Sequence, residues 1–230
     1  MIHNFASRIM TRLQFEISTR RHRLNDPAVF IWIPKVAGSS IFRALRPFGC
    51  RRINTLEKIA GEVYSRGCVT FGHIGYASLV DNGSVADSFA SEAFCFSFVR
   101  NPYDRAVSLW AYLSRFGLFD EDLTFDAFVE LVEAGVAPVG LYNTNGLSQA
   151  NPQIDWFGGP NHPQPDFVGR YESLQSDFAI VCDHLGLPEL LLPHHNPSER
   201  SDYRPYFNRH TRRLVERIYE RDFEAFDYSF

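Results

Sequence analysis

The 230-residue chain predicts a single α/β domain in which a central, mainly parallel sheet is flanked by helices. Two runs, Ala28–Ile33 and Phe94–Val99, are apolar at nearly every position, as in strands covered on both faces. Helical periodicity alternates with such runs along the chain. Each of the two runs also breaks at residues suited to binding an anion, and open parallel sheets collect their ligands at the carboxyl ends of strands.

Phe5, Ile9, Leu13 and Ile17 recur every four residues and predict an amphipathic helix over 4–18. Arg20-Arg21-His22-Arg23 reads as a solvated basic linker, which makes 1–27 an N-terminal helix and linker ahead of a domain over 28–230. Ile41–Leu45 continues the first strand's turn as a helix. Thr55 is placed as the N-cap of a helix reaching Tyr64, and Cys68–Phe71 as a short strand. Asp81-Asn82-Gly83 is a turn. Pro102 suits a first helical position, and its helix runs through Ala106, Leu109, Trp110 and Leu113 to Gly117. Phe125–Val132 is a further helix. Residues 135–165, rich in Gly, Pro and Asn, read as loops with short helical pieces, of a length that is usually functional or mobile. Phe167–Gly169 is a strand, and Ser173–Leu185 a helix stopped by Gly186 and Pro188. Arg209–Phe226 reads as one terminal helix, with Leu214, Val215, Ile218 and Tyr219 on one face.

The net charge of −4 argues against a nucleic-acid or membrane-surface partner. Cys50, Cys68, Cys95 and Cys182 form no CxxC pair and read as buried thiols in a reducing compartment. Arg8 and Arg12 interrupt the N-terminal run before a signal peptide can form, and no stretch approaches the ~20 apolar residues of a membrane span. These readings predict a cytoplasmic protein with no integral membrane segment.

The chemistry lies where the two core strands end. Pro34-Lys35-Val36-Ala37-Gly38-Ser39-Ser40 places a cation, backbone N–H groups and a helix N-terminus around one spot, a cradle for phosphate or sulfate. Ser39 and Ser40 also have the geometry to cap that helix. Arg100-Asn101-Pro102 ends the second strand. Two such sites imply a ligand with two separate anionic groups. The first turn departs from a Walker loop, because Lys35 precedes Gly38 and no Gly-Lys dipeptide follows. No acidic residue ends a neighbouring strand to hold magnesium, and no clustered Cys/His set indicates a metal.

The 34–40 segment instead resembles the 5′-phosphosulfate loop of carbohydrate-type sulfotransferases that use 3′-phosphoadenosine 5′-phosphosulfate (PAPS). Arg100-Asn101-Pro102-Tyr103-Asp104-Arg105-Ala106-Val107-Ser108 is similar to that family's 3′-phosphate motif. The likeness continues through Phe167–Glu172, Asp177-Phe178 and Tyr219–Phe226, covering most of 28–230 in family order. Val36-Ala37 stands where the family often has Gly or Thr. The resemblance implies a P-loop-NTPase-like sheet, PAPS as donor, and a hydroxylated acceptor, a glycan or glycosylated metabolite. It implies a donor site of Lys35, Val36, Ala37, Gly38, Ser39, Ser40, Arg100 and Ser108, with Arg200 in a loop closing over the nucleotide. Lys35 would stabilise charge developing during transfer. His73, in Phe71-Gly72-His73-Ile74-Gly75, resembles the family's general base, with Glu172 as its competitor. Among the other histidines, His162 and His210 read as surface residues, and His194-His195 precede the Arg200 loop. Trp156-Phe157 is open to two readings, a stacking surface for a sugar or core packing. Two further function classes stay open: a metal-dependent kinase or hydrolase on a related fold, and a nucleotide-binding module without catalysis.

Overall fold

A computed structural model describes residues 24–54, 67–117, 123–136, 143–144, 147–159, 161–162, 164–192 and 202–230. The helices read over 4–18 and from Thr55 to Tyr64, the basic stretch 20–23 and the 194–200 segment with Arg200 lie outside these residues.

Five strands form one sheet: β1 (Ala28–Ile31), β2 (Arg51–Arg52), β3 (Cys68–Thr70), β4 (Phe94–Val99) and β7 (Phe167–Arg170). Their order is β2-β3-β1-β4-β7, and every neighbouring pair is parallel. The two uniformly apolar runs are the adjacent central strands, with Ala28 opposite Phe94 and Ile31 opposite Ser97. Ser97 is tolerated in this core because its hydroxyl donates to the Ile31 carbonyl at 2.9 Å. From β1 the chain crosses towards β2 and β3, then returns past β1 to β4 and β7. The direction therefore reverses between β1 and β4, where a doubly wound sheet opens a crevice at its carboxyl edge.

The helices are α1 (Gly38–Leu45), α2 (Tyr76–Asp81), α3 (Asp87–Glu92), α4 (Pro102–Arg115), α5 (Phe125–Glu133), α6 (Leu174–His184), α7 (Arg209–Ile218) and α8 (Glu220–Phe226). A short hairpin, β5 (Asn143–Thr144) with β6 (Leu147–Ser148), and a 3-10 turn at Gln153–Phe157 occupy the segment read as loops. The main core lies around the sheet, and a second apolar cluster joins α4, α5 and α7 through Leu109, Leu113, Phe128, Leu214 and Val215. All four cysteines are buried and unbridged. Among the described residues no helix is long and apolar enough to cross a membrane.

Three boundaries correct the sequence reading. β1 stops at Ile31 rather than Ile33, and β3 at Thr70 rather than Phe71, because both strands turn there into site loops. The terminal helix is two helices, broken at Tyr219 (φ −113°, ψ 23°), which turns the Asp222 carboxylate inward. That buried carboxylate accepts the N–H groups of Gln153 (2.8 Å) and Ile154 (2.9 Å). The Asp81-Asn82-Gly83 turn is present, but it follows a helix, α2, that no apolar periodicity announced.

Candidate active site

After β1 the chain passes Pro34 and adopts left-handed backbone at Lys35 (φ 71°) and Ala37 (φ 67°). Non-glycine residues rarely do so, at a cost of about 1–3 kcal/mol each. Alternating backbone hand turns successive N–H groups towards one side, as in anion-binding nests. Ala37 is the N-cap of α1 and supplies no side-chain cap. The Ser39 and Ser40 hydroxyls, read as candidate caps, do not cap; Ser39 is exposed and Ser40 buried. Ala37 O accepts from Ser40 N and Ile41 N, whereas Gly38 N and Ser39 N find no backbone acceptor among the described residues. Such an uncapped N-terminus suits an anion. Gly38 itself has no positive φ: a Cβ there would stand 2.0 Å from Trp32 Nε1, so its bare Cα lets the indole lie against the loop. Lys35 Nζ stands 4.0 Å over the Tyr112 ring of α4.

At the end of β4, Arg100 reaches across to this loop and donates from Nη1 to Lys35 O at 3.2 Å. Asp104, one helical turn on, holds its Nε (2.7 Å) and Nη2 (2.6 Å), and Tyr171 stacks on the guanidinium at 3.8 Å. Gln153 brackets the Arg100 backbone, accepting from its N–H and donating to its carbonyl. Asn101 caps α4 by accepting from Tyr103 N. Asp104, Ser108 and Tyr112 share one face of α4 at four-residue spacing. The face carrying Arg100's carboxylate partner and Ser108 thus leads to the tyrosine beneath Lys35.

His73 follows β3 through a left-handed glycine, Gly72 (φ 62°), whose N–H donates to Thr70 Oγ1. Its Nδ1 lies 3.0 Å from Trp32 O. A carbonyl only accepts, so Nδ1 carries the hydrogen and the lone pair of the neutral ring sits on Nε2. Burial, against the opposing bond to Trp32 and helped by the charges of Arg52, Lys35 and Arg105, brings the His73 pKa down from 6.5 to about 4. The ring is therefore neutral at ordinary pH, in the tautomer that presents Nε2 as acceptor.

Glu172 is engaged differently. One carboxylate oxygen accepts Asn101 N at 2.7 Å and the other the Tyr228 hydroxyl at 2.9 Å. Burial, with Glu172 beside it, pushes the Tyr228 phenol well above its ordinary range, so it stays a donor. This carboxylate braces the end of β4 against the C-terminus.

Residues that sequence reasoning passed over complete the frame. Arg105 is 1% exposed and donates to Pro34 O (3.1 Å), Asn151 O (3.0 Å) and Gln149 O (2.7 Å). It ties α4 to the site loop and to the 149–151 segment, and its burial pulls its pKa down. Arg52, on β2, stacks over the Trp32 ring at 4.5 Å. Motif reading could have marked Arg105 as the second arginine of the 100–108 run, whereas nothing local marks Arg52.

Trp156 and Phe157, 1% and 3% exposed, are core residues, which removes the sugar-stacking reading. Trp156 instead backs His73 edge-on at 6.3 Å. His210 is exposed beside Glu130, and His162 pairs with Asp81 at 2.8 Å. Among the described residues no three His, Cys, Asp or Glu side chains gather to share a metal ion.

Comparison with known proteins yields four findings. A model described as "Sulfotransferase family" matches residues 24–229. An uncharacterized protein of Archaeoglobus fulgidus is 30% identical over 117 residues, 47% of this chain and 81% of the relative. Mouse sulfotransferase SULT7A1, solved in complex with PAP, shares the fold at a TM-score of 0.53 and 16% identity, over 88% of this chain and 85% of that one. A sulfotransferase of Alicyclobacillus acidocaldarius aligns over 88% of this chain and 99% of its own, with 18% identity and a TM-score of 0.46.

Proposed function

Because the chain belongs to the sulfotransferase family, whose chemistry is sulfuryl transfer, we propose that it moves that group from PAPS to a hydroxyl of a carbohydrate acceptor. The observation that carries this reading is the 3.2 Å bond from Arg100 to the Lys35 carbonyl. It joins the two anion-suited strand ends at the point where the sheet reverses direction, so one ligand with two anionic ends can span both. The mouse neighbour's complex with PAP supports an adenosine bisphosphate for that ligand.

The residues present fit such a donor. The N–H groups of Gly38 and Ser39 and the left-handed turn offer an anion cradle, while Arg100 keeps N–H donors beyond those spent on Asp104 and Lys35 O. Ser108 adds a hydroxyl on the same face of α4. PAPS, when bound, supplies the sulfuryl group and a bisphosphate leaving group. Lys35 places its cation where charge grows on the oxygens around sulfur, and a preorganised cation in such a site is worth more than in water. His73 takes the acceptor's hydroxyl proton on Nε2, held in register by Trp32 O. Glu172, with both oxygens holding partners, serves the frame rather than the proton transfer. Four unbridged thiols fit a reducing compartment, and the cytoplasmic setting belongs to this proposal.

Sulfur-35-labelled PAPS, incubated with a panel of hydroxylated saccharides and glycosides, tests the reading. Label should pass to one or more acceptors and leave PAP. Binding of PAP with no transfer to any acceptor would favour a catalytically silent module.

A further inference from the structure

Along the carboxyl edge of the sheet the strands run β2, β3, β1, β4, and in that order they present Arg52, His73, Trp32 with Lys35, and Arg100. The donor site proposed above spans β1 and β4. His73 stands one strand to the other side, and Arg52 one strand further, on the sheet's edge. With strands ~4.8 Å apart, Arg52 is two strands from β1 and three from β4. It thus lies beyond His73, on the side of the ring away from the proposed donor site.

Arg52 is built to hold an anion there. Its guanidinium lies 4.5 Å over the Trp32 ring, and that ring meets His73 edge-on at 5.4 Å. A Cβ on Gly72, the residue before His73, would stand 3.4 Å from Arg52 Nε, so the two strand ends lie side by side. The other site arginines are engaged elsewhere: Arg100 on Asp104, the Lys35 carbonyl and the proposed donor, and Arg105 on three backbone carbonyls. Among the described residues no carboxylate or carbonyl binds the exposed Arg52 guanidinium. Stacking fixes its plane and leaves its N–H fork to meet an oxyanion edge-on. Its charge also contributes to keeping His73 neutral, an effect that a bound anion would offset.

We infer that Arg52 binds an oxyanion of the acceptor, making the substrate an acidic saccharide whose reacting hydroxyl lies close to a carboxylate, sulfate or phosphate. The inference rests on the PAPS reading, and equilibrium binding separates the two. PAP is titrated first into the wild type, Arg52→Gln, Arg52→Lys and Arg52→Met, the last keeping an aliphatic stem on Trp32. With PAP saturating, 4-nitrophenyl glucuronide, the 6-sulfate and 6-phosphate of 4-nitrophenyl glucoside, and the neutral glucoside are then titrated. Equal PAP affinity in all four proteins is expected, with at least one acidic glycoside bound tighter than the neutral one by the wild type. That preference should fall about 10- to 100-fold in Arg52→Gln and Arg52→Met, as for loss of a charged hydrogen bond, and partly return in Arg52→Lys. Which glycoside responds identifies the anion. Absence of PAP binding in the wild type would overturn the donor reading and this inference with it. Normal PAP binding with no acidic preference, or a preference unchanged in Arg52→Gln, would overturn this inference alone, as would a loss of PAP affinity confined to the Arg52 variants.

Discussion

His73 carries the most quantitative expectation. Its pKa lies at about 4 instead of 6.5, so the folded chain disfavours protonation there by about 3 kcal/mol. Between those values the unfolded chain binds more protons than the folded one. Stability therefore rises with pH through this window and is lost as the pH falls from about 6.5 towards 4. Urea titrations at about pH 7 and pH 4.5 should show the wild type losing roughly 2.5 kcal/mol more than His73→Gln, because the other acid-sensitive groups are common to both proteins. The same ring should also respond to the donor. Lys35, Arg52 and Arg105 lower its pKa, and an anionic ligand beside them offsets that effect. Carbon-13 NMR of the His73 ring, titrated with and without PAP, should show the midpoint rise on binding. The acid limb of kcat should correspondingly lie above that of kcat/KM. A ring that titrates near 6.5 in the free protein would refute the burial and charge reasoning. One indifferent to PAP would refute its place beside the donor.

Lys35→Ala should lower kcat about 10²- to 10³-fold, with a smaller loss of PAP affinity, measured by initial rates and calorimetry; equal turnover would remove the lysine from the chemistry. Glu172→Gln should leave the acid limb of the pH–rate profile in place while costing about 1–3 kcal/mol of stability in urea, since it disturbs the bonds to Asn101 and Tyr228. A lost acid limb would make Glu172 the base. Gly38→Ala should destabilise the chain by about 1–3 kcal/mol or more and blunt PAP binding, because its Cβ would stand 2.0 Å from Trp32 Nε1. A variant as stable as the wild type would mean the indole is free to move.

What the sequence made legible is local. β4 was read to the residue, since a six-residue, Phe-rich apolar run such as Phe94–Val99 suits a strand covered on both faces. The helix opened by Pro102 was read because its start carries its own chemistry, an Asn cap before a proline. By contrast, α2 and α3 are six residues each, with no side-chain cap, and are held by tertiary packing through Tyr76, Leu79 and Phe89. The break at Tyr219 was hidden because the apolar face runs through it, while its cause, Asp222 serving Gln153 and Ile154, lies 68–69 residues away. The site divides the same way. Its two motifs were visible as motifs, but Arg105 acts on carbonyls 44 to 71 residues distant. Arg52 comes beside the loop that carries His73 through the sheet order alone. The partners of Glu172, Asn101 N and the Tyr228 hydroxyl, lie 71 and 56 residues away and leave no local trace in the sequence.

A crystal structure with PAP bound tests the pairing of the two strand ends most directly. One phosphate should rest on the 35–40 turn and the other against Arg100 and Ser108, with His73 facing the open side of the cradle. PAP seated elsewhere, or touching one strand end without the other, would contradict a shared donor site between β1 and β4.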